Sequence, residues 1–194
     1  AALIPQVRAS LQDHSDNVRF EAVRALARIG GPAAVQDLVR MAKTDECDFI
    51  RAESVRMLRT VGIGQPGVLE AAVRALKDRA RQVRRQGARL LGNFQDKKSI
   101  QPLLKAMADP HWSVRESAEN ALLNFGRDAV KPLIAALESA SWTTRFRAAR
   151  LLGEIKDSRA MPALKKILAK KKEKREVREI AEKTLHKLQN KKGP

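Results

Sequence analysis

Apolar positions in this chain fall on one side of a helix, and the whole pattern then recurs. An arginine marks each recurrence: Arg19, Arg51, Arg84, Arg115, Arg145 and Arg178, spaced 30 to 33 residues apart. Just before it stands Val18, Ile50, Val83, Val114, Thr144 or Val177. Three positions later the residue is small: Ala22, Ser54, Gly87, Ala118, Ala148, Ala181. Seven later it is always leucine, Leu26, Leu58, Leu91, Leu122, Leu152 and Leu185, and ten later it is apolar: Ile29, Val61, Phe94, Phe125, Ile155, Leu188. At 3.6 residues per turn these offsets share one face, so each unit contains an amphipathic helix with that face in the core. A period of this length filled by helical patterns predicts a stacked repeat array.

Each period divides into two helices. The arginine-bearing second helix, B, is expected over 16–29, 49–61, 81–94, 112–125, 142–155 and 175–188, and the preceding helix, A, over 3–12, 32–44, 66–78, 98–108, 128–138 and 159–170. Pro66, Pro102, Pro132 and Pro162 fall in the first turns of A helices, where a missing N–H costs little. Gly30, Gly62 and Gly126 are placed to end B helices in the left-handed conformation. Small residues three after the arginine let neighbouring helices approach to ~8–10 Å. Asp13, Asp45, Asp78 and Asp109 stand six before the arginine, where a carboxylate favours the start of helix B and bonds an arginine of its own or the adjacent repeat. The six repeated arginines are therefore read as structural, and removing Arg115 is expected to strand a turn carboxylate.

The strings DHSDNVRFEAVRALARIG (13–30), DPHWSVRESAENALLNFG (109–126) and SWTTRFRAARLLGEIKD (141–157) resemble HEAT repeats of the bilin-lyase-like (PBS lyase) type. That pattern runs Asp, a short turn, often Trp, then Val-Arg, Ala, Leu and Ile-Gly. The resemblance spans essentially the whole chain. It implies an all-α, right-handed solenoid of about six hairpins with B helices on the concave side, the repeats being 1–30, 31–62, 63–95, 96–126, 127–156 and 157–194. It implies no single function, because such repeats occur in scaffolds, bilin lyase subunits and a metal-dependent hydroxylase. The hydroxylase uses paired His-Glu motifs, and no His-Glu dipeptide occurs here.

Composition adds a sign. Against 22 acidic residues stand 39 Lys and Arg, a net charge of +17 over 194 residues. The excess is concentrated at 63–95 (+5), 127–156 (+3) and 157–194 (+8). Such a field favours nucleic acid, acidic protein surfaces or anionic lipid. No apolar stretch approaches the ~20 residues of a membrane helix, and no signal-peptide pattern is present. The chain starts Ala1-Ala2-Leu3-Ile4 without methionine and reads as a segment of a longer protein. Its single Cys47 favours a reducing compartment, hence a cytoplasmic location.

Chemistry is sparse. Residues 62–67 read Gly-Ile-Gly-Gln-Pro-Gly, but a dinucleotide site needs a strand before the turn, whereas a helix precedes this one. His14, His111 and His186 lie in different repeats, so no metal site is expected. Cys47 carries carboxylates on both sides, the wrong field for a reactive thiolate. Neither a catalytic constellation nor a cofactor site emerges, and the chain is read as non-enzymatic. Trp112 and Trp142, three before the repeated arginine, read as packing residues between repeats, with stacking platforms for bases or a pigment as the alternative. The run Lys170–Arg175 reads as a solvated end cap, with a nuclear-import or phosphate-binding run as the alternative.

One column stands out. Five positions after the repeated arginines come Arg24, Arg56, Arg89, Asn120, Arg150 and Lys183, expected to project outward along the concave side. Arg59 and Arg85 thicken this basic ladder, Phe20 and Phe146 add aromatic surface, and Asn120, Glu116 and Glu119 interrupt it. The expected function is an interaction scaffold whose basic concave surface binds an acidic or phosphorylated protein segment. The alternatives are sequence-independent binding of a nucleic-acid backbone and a bilin lyase-like subunit; a small-molecule ligand is not expected.

Overall fold

Four of the six B helices are announced by an aspartate folding back on its own backbone. Asp45 Oδ1 accepts the Cys47 N–H at 2.9 Å, Asp78 that of Ala80 at 2.8 Å and Asp109 that of His111 at 2.8 Å. This side-chain turn fixes the residue from which the helix starts. The leucine row then goes inward: Leu26, Leu58, Leu91, Leu122 and Leu152 are fully buried, each burial stabilising by about 1.5–3 kcal/mol.

A computed structural model describes residues 3–94 and 96–190. Among these are twelve α-helices, two 3-10 turns and no strand. The A helices are α1 (Leu3–Ser10), α3 (Gly31–Thr44), α5 (Val68–Ala75), α7 (Ile100–Ala106), α9 (Arg127–Ala136) and α11 (Met161–Ala169). The B helices are α2 (Asp16–Ile29), α4 (Asp48–Val61), α6 (Arg81–Leu91), α8 (Trp112–Asn124), α10 (Trp142–Ile155) and α12 (Arg175–Gln189). Short 3-10 turns, Lys97–Ser99 and Ser158–Ala160, lead into α7 and α11.

Every A helix packs on the B helix that follows it, and B helices pack on one another along the stack. Successive A helices approach each other much less closely than most successive B helices do, so the stack bends with the B helices inside. The small position three after the arginine is required by this packing. A Cβ on Gly87 would lie 2.9 Å from the Ala75 Cβ and 3.0 Å from the Ala72 carbonyl oxygen, so α5 and α6 could not close over a larger residue. Ser54, in the same slot, returns its hydroxyl to the Ile50 carbonyl at 2.9 Å and stays buried without an unmet bond.

Some local expectations are corrected. Gly62 has φ −104°, in the right-handed region, and the left-handed residues of that loop are Gly64 and Gly67. Pro132 lies inside α9 rather than in its first turn, because Gly126, at φ 48°, lets the helix begin at Arg127. Val18 and Ile29, on the expected core face, are exposed beside the short α1. The Gly-Ile-Gly-Gln-Pro-Gly loop joins α4 to α5 with no strand before it.

Candidate functional site

The repeated arginines form a ridge along the turns between A and B helices. Nη1 of each of the first five donates to two carbonyls of its own turn, as Arg51 does to Asp45 O and Glu46 O, both at 2.9 Å. The rest of the guanidinium reaches forward one repeat. Arg19 donates from Nε to Asp45 at 3.0 Å, Arg51 to Asp78 at 2.8 Å, Arg84 to Asp109 at 2.7 Å and Arg145 to Glu173 at 2.8 Å. In each case Nη2 bonds the second carboxylate oxygen, the bidentate geometry that makes arginine pairs strong. Burial works against charge on Asp78 and Asp109, but the bonds from Arg51 and Arg84, with the Ala80 and His111 N–H groups, hold both carboxyls below the usual range. Arg145 does the same for Glu173.

The aspartates thus pair with the arginine of the preceding repeat, and this corrects the expectation for Arg115. Asp109 belongs to Arg84, while Arg115 donates only to the Asp109 and Pro110 carbonyls, both at 2.8 Å. In the following turn Ser139 stands where an aspartate would, and Arg115 Nε is buried without a partner among the described residues. Arg178, in the last repeat, donates to the Lys170 carbonyl at 3.2 Å.

The concave column is not the open ladder expected. Arg24 bonds Glu21 at 3.0 Å, lies within 4.0 Å of Glu53 and sits 5.8 Å over the Phe20 ring. Arg56 forks onto Glu53 at 2.5 and 2.7 Å. Arg150 pairs with Glu119, which also accepts from Arg147 at 2.5 Å. These arginines are half-buried because the neighbouring B helix covers their flank, and Glu53 and Glu119, 8% and 4% exposed, lie beneath them. Phe20 is stacked on Phe49 with ring centroids 5.0 Å apart, and Phe146 is half-buried against the core.

Between these neutralised ends the column is free. Arg59, Arg85 and Arg89 make no ion pair among the described residues, and Arg85 Nε has no partner. At Arg89 the reason is local: the buried residue three before it is Gln86, where Arg56 has Glu53. Arg59 and Arg89 border a groove of about 210 Å³ lined also by Asn93, Glu116, Asn120 and Asn124. Lys183, on α12, is exposed and likewise unpaired. Of the glutamates under the column, sequence reasoning missed Glu53 and took Glu119 only as an interruption of the ladder, not as a partner of Arg150. The three-residue spacing of Glu53 and Arg56 was a usable signal for one pair, whereas Glu119 reaches into the next repeat and left none.

The tryptophans are also corrected. Trp112 is 67% exposed and Trp142 40%, each at the first residue of its B helix, where the ring extends past the packed face. In the Lys170–Arg175 run, Lys170 pairs with Glu138 at 2.7 Å, and together with Lys166 it draws the Glu138 carboxyl down to about 2. No group of three or more His, Cys, Asp or Glu among the described residues is placed to hold a metal ion. No helix among them is long and apolar enough to cross a membrane.

Residues 1–59, 50–123 and 108–186 match the family model for HEAT repeats. The chain belongs to the HEAT-repeat family. This HEAT-repeat chain shares 22% identity and a TM-score of 0.57 with a chain of the CpcE–CpcF complex of phycocyanin lyase from Nostoc sp. PCC7120, over 90% of its own length and 73% of that chain. It shares 19% identity and a TM-score of 0.51 with human deoxyhypusine hydroxylase in complex with glycerol, over 96% and 85% of the two chains. A designed armadillo repeat protein in complex with the peptide (KR)4 gives 21% identity and a TM-score of 0.52, over 95% and 99%. The HEAT-repeat resemblance and the all-α solenoid read from the sequence are both borne out, and the lyase chain shares that fold. Identities of this size establish the fold alone. No curated protein matches the HEAT-repeat chain in sequence.

Proposed function

We propose that this HEAT-repeat chain is a non-enzymatic scaffold holding an acidic or phosphorylated protein segment on its concave face, centred on Arg59, Arg85 and Arg89. One observation carries the reading. Arg24, Arg56, Arg147 and Arg150 are already answered by Glu53 and Glu119, while these three central arginines make no ion pair among the described residues, Glu116 lining the groove without pairing to them. An arginine fork without an internal partner is suited to a carboxylate or phosphate from outside. The designed armadillo neighbour holds a basic peptide; a basic groove on a related scaffold calls for the opposite sign. The free stretch is short, bounded on both sides by internal ion pairs, and fits one acidic segment better than a long phosphate backbone.

The test compares a fluorescent octaglutamate peptide, a phosphoserine peptide and a single-stranded oligonucleotide as probes. Replacing Arg59 and Arg89 together by glutamate is expected to weaken peptide binding at least about tenfold, since each change removes an attraction and adds a repulsion. An oligonucleotide that binds more tightly than either peptide, with log affinity falling linearly in log salt, would transfer the assignment to nucleic acid. Equal binding of parent and double variant would remove the concave face from consideration.

A further inference from the structure

We propose that the array consists of two mechanical blocks, the first four repeats and the last two, hinged at the joint between α8 and α10. Four of the five joints along the ridge are closed by a bidentate pair: Arg19–Asp45, Arg51–Asp78, Arg84–Asp109 and Arg145–Glu173. At the fifth, Arg115 is set like the others by its two turn carbonyls, yet the facing residue is Ser139, which makes no hydrogen bond to it. The serine keeps the aspartate's local duty, accepting the Ser141 N–H at 3.3 Å, and loses the long-range one. The consequence is a buried, unpartnered Nε on Arg115.

Packing agrees. Helices α8 and α10 bring far fewer positions into close approach than α4 and α6 or α10 and α12 do. At the joint before it, Gly92 lies so close that an added Cβ would sit 2.8 Å from the Ala121 Cβ, and Asn124 donates to the Gly92 carbonyl at 3.2 Å. At the joint after it, Thr184 donates its hydroxyl to the Ala149 carbonyl at 3.0 Å. What spans the joint is a latch on the concave side, Glu119 bound to Arg147 and Arg150, and on the A-helix side an exposed ion pair between Lys97 and Asp128 at 2.8 Å. The latch is itself incomplete, for Arg147 Nε is also buried without a partner.

A joint fastened on its concave side and unfastened along the ridge opens at the ridge. Opening admits water to the donors that closure leaves unmet, so part of the lost packing is offset. In an array stabilised by nearest-neighbour interfaces, cooperativity divides at the weakest interface.

Native-state hydrogen exchange in low denaturant tests this. Amides of α9 to α12 are expected to open together, at lower denaturant than those of α4 to α8. Replacing Ser139 with aspartate supplies the missing carboxylate. It should slow exchange in α9–α12 about tenfold, the factor of one charge-assisted hydrogen bond, and raise Tm by about 2–4 °C. Both effects should vanish when Arg115→Gln is added. Exchange of α4–α12 as a single unit in the parent would overturn the proposal, as would graded loss of protection from α12 inward or an aspartate effect that survives Arg115→Gln.

Discussion

The ridge and the concave face of this solenoid are both rows of arginine at repeat spacing, and they meet opposite fates. On the ridge, guanidinium and carboxylate were placed one repeat apart, and Arg19, Arg51, Arg84 and Arg145 are consumed in holding neighbouring repeats together. On the concave face, Glu53 and Glu119 answer the ends of the row and leave Arg59, Arg85 and Arg89 unanswered in the middle. A net charge of +17 is therefore a poor guide to where an anion binds. What decides is which arginines lack an internal partner, and that depends on carboxylates on the same helix, as Glu53 for Arg56, or one repeat away, as Glu119 for Arg150.

The largest effect that would sharpen this contrast belongs to the ridge. Arg51→Ala leaves the half-buried Asp78 with the Ala80 N–H but without its guanidinium, and should destabilise the chain by about 3 kcal/mol in urea unfolding. Arg115→Ala removes bonds to two carbonyls and strands no carboxylate, so its cost should be smaller, about 1–2 kcal/mol. Equal losses in the two variants would mean that the forward carboxylate bond contributes little and that the ridge is held by its turn carbonyls alone.

Acid should attack the ridge next. Asp78, Asp109 and Glu173 are held below their ordinary values of 3.8 and 4.5 by the arginines that bond them. The unfolded chain then takes up protons first as pH falls. Stability should be fully present above about pH 4.5 and drain away as pH drops through the lowered folded values. The urea midpoint followed from pH 7 to pH 3 checks the sign. In Arg51→Ala, where Asp78 is no longer held low, the acid loss should be shallower; an unchanged slope would show that other groups drive it.

The sequence reading placed the helices well because a helix is specified by neighbours within a turn. The offsets from the repeated arginine located every B helix to within about three residues at either end. Pairings between repeats were harder. Asp109 stands six before Arg115 yet bonds Arg84, and the period of a pattern does not say which repeat a side chain leans toward. The outward column failed for a related reason. A wheel drawn for one helix puts Arg56 and Arg150 in solvent, whereas Arg56 folds back onto the buried Glu53 of its own helix and Arg150 reaches the buried Glu119 of the preceding B helix. Trp112 and Trp142 erred the other way, since family pattern suggested packing and the first residue of the helix lies beyond the packed surface.

The smallest effect compares two residues in the same register of the concave face. Arg89 is exposed and makes no ion pair among the described residues, so Arg89→Glu should change stability by no more than about 0.5 kcal/mol, with relief of positive repulsion across α6 opposing any loss. Arg150 occupies the equivalent position on α10, but its guanidinium meets Glu119 at the incomplete latch. Arg150→Glu would set one carboxylate against another that is almost wholly buried, with Arg147 left as the only counter-charge of the original pair. Its cost should reach about 1 kcal/mol, the upper range for a partly exposed ion pair. Thermal melts of the two single variants decide the matter. A matching pair of melts would mean that internal partnership, the property separating the free arginines from the occupied ones, carries no energy on the concave face, and the choice of Arg59, Arg85 and Arg89 as the binding centre would lose its physical ground.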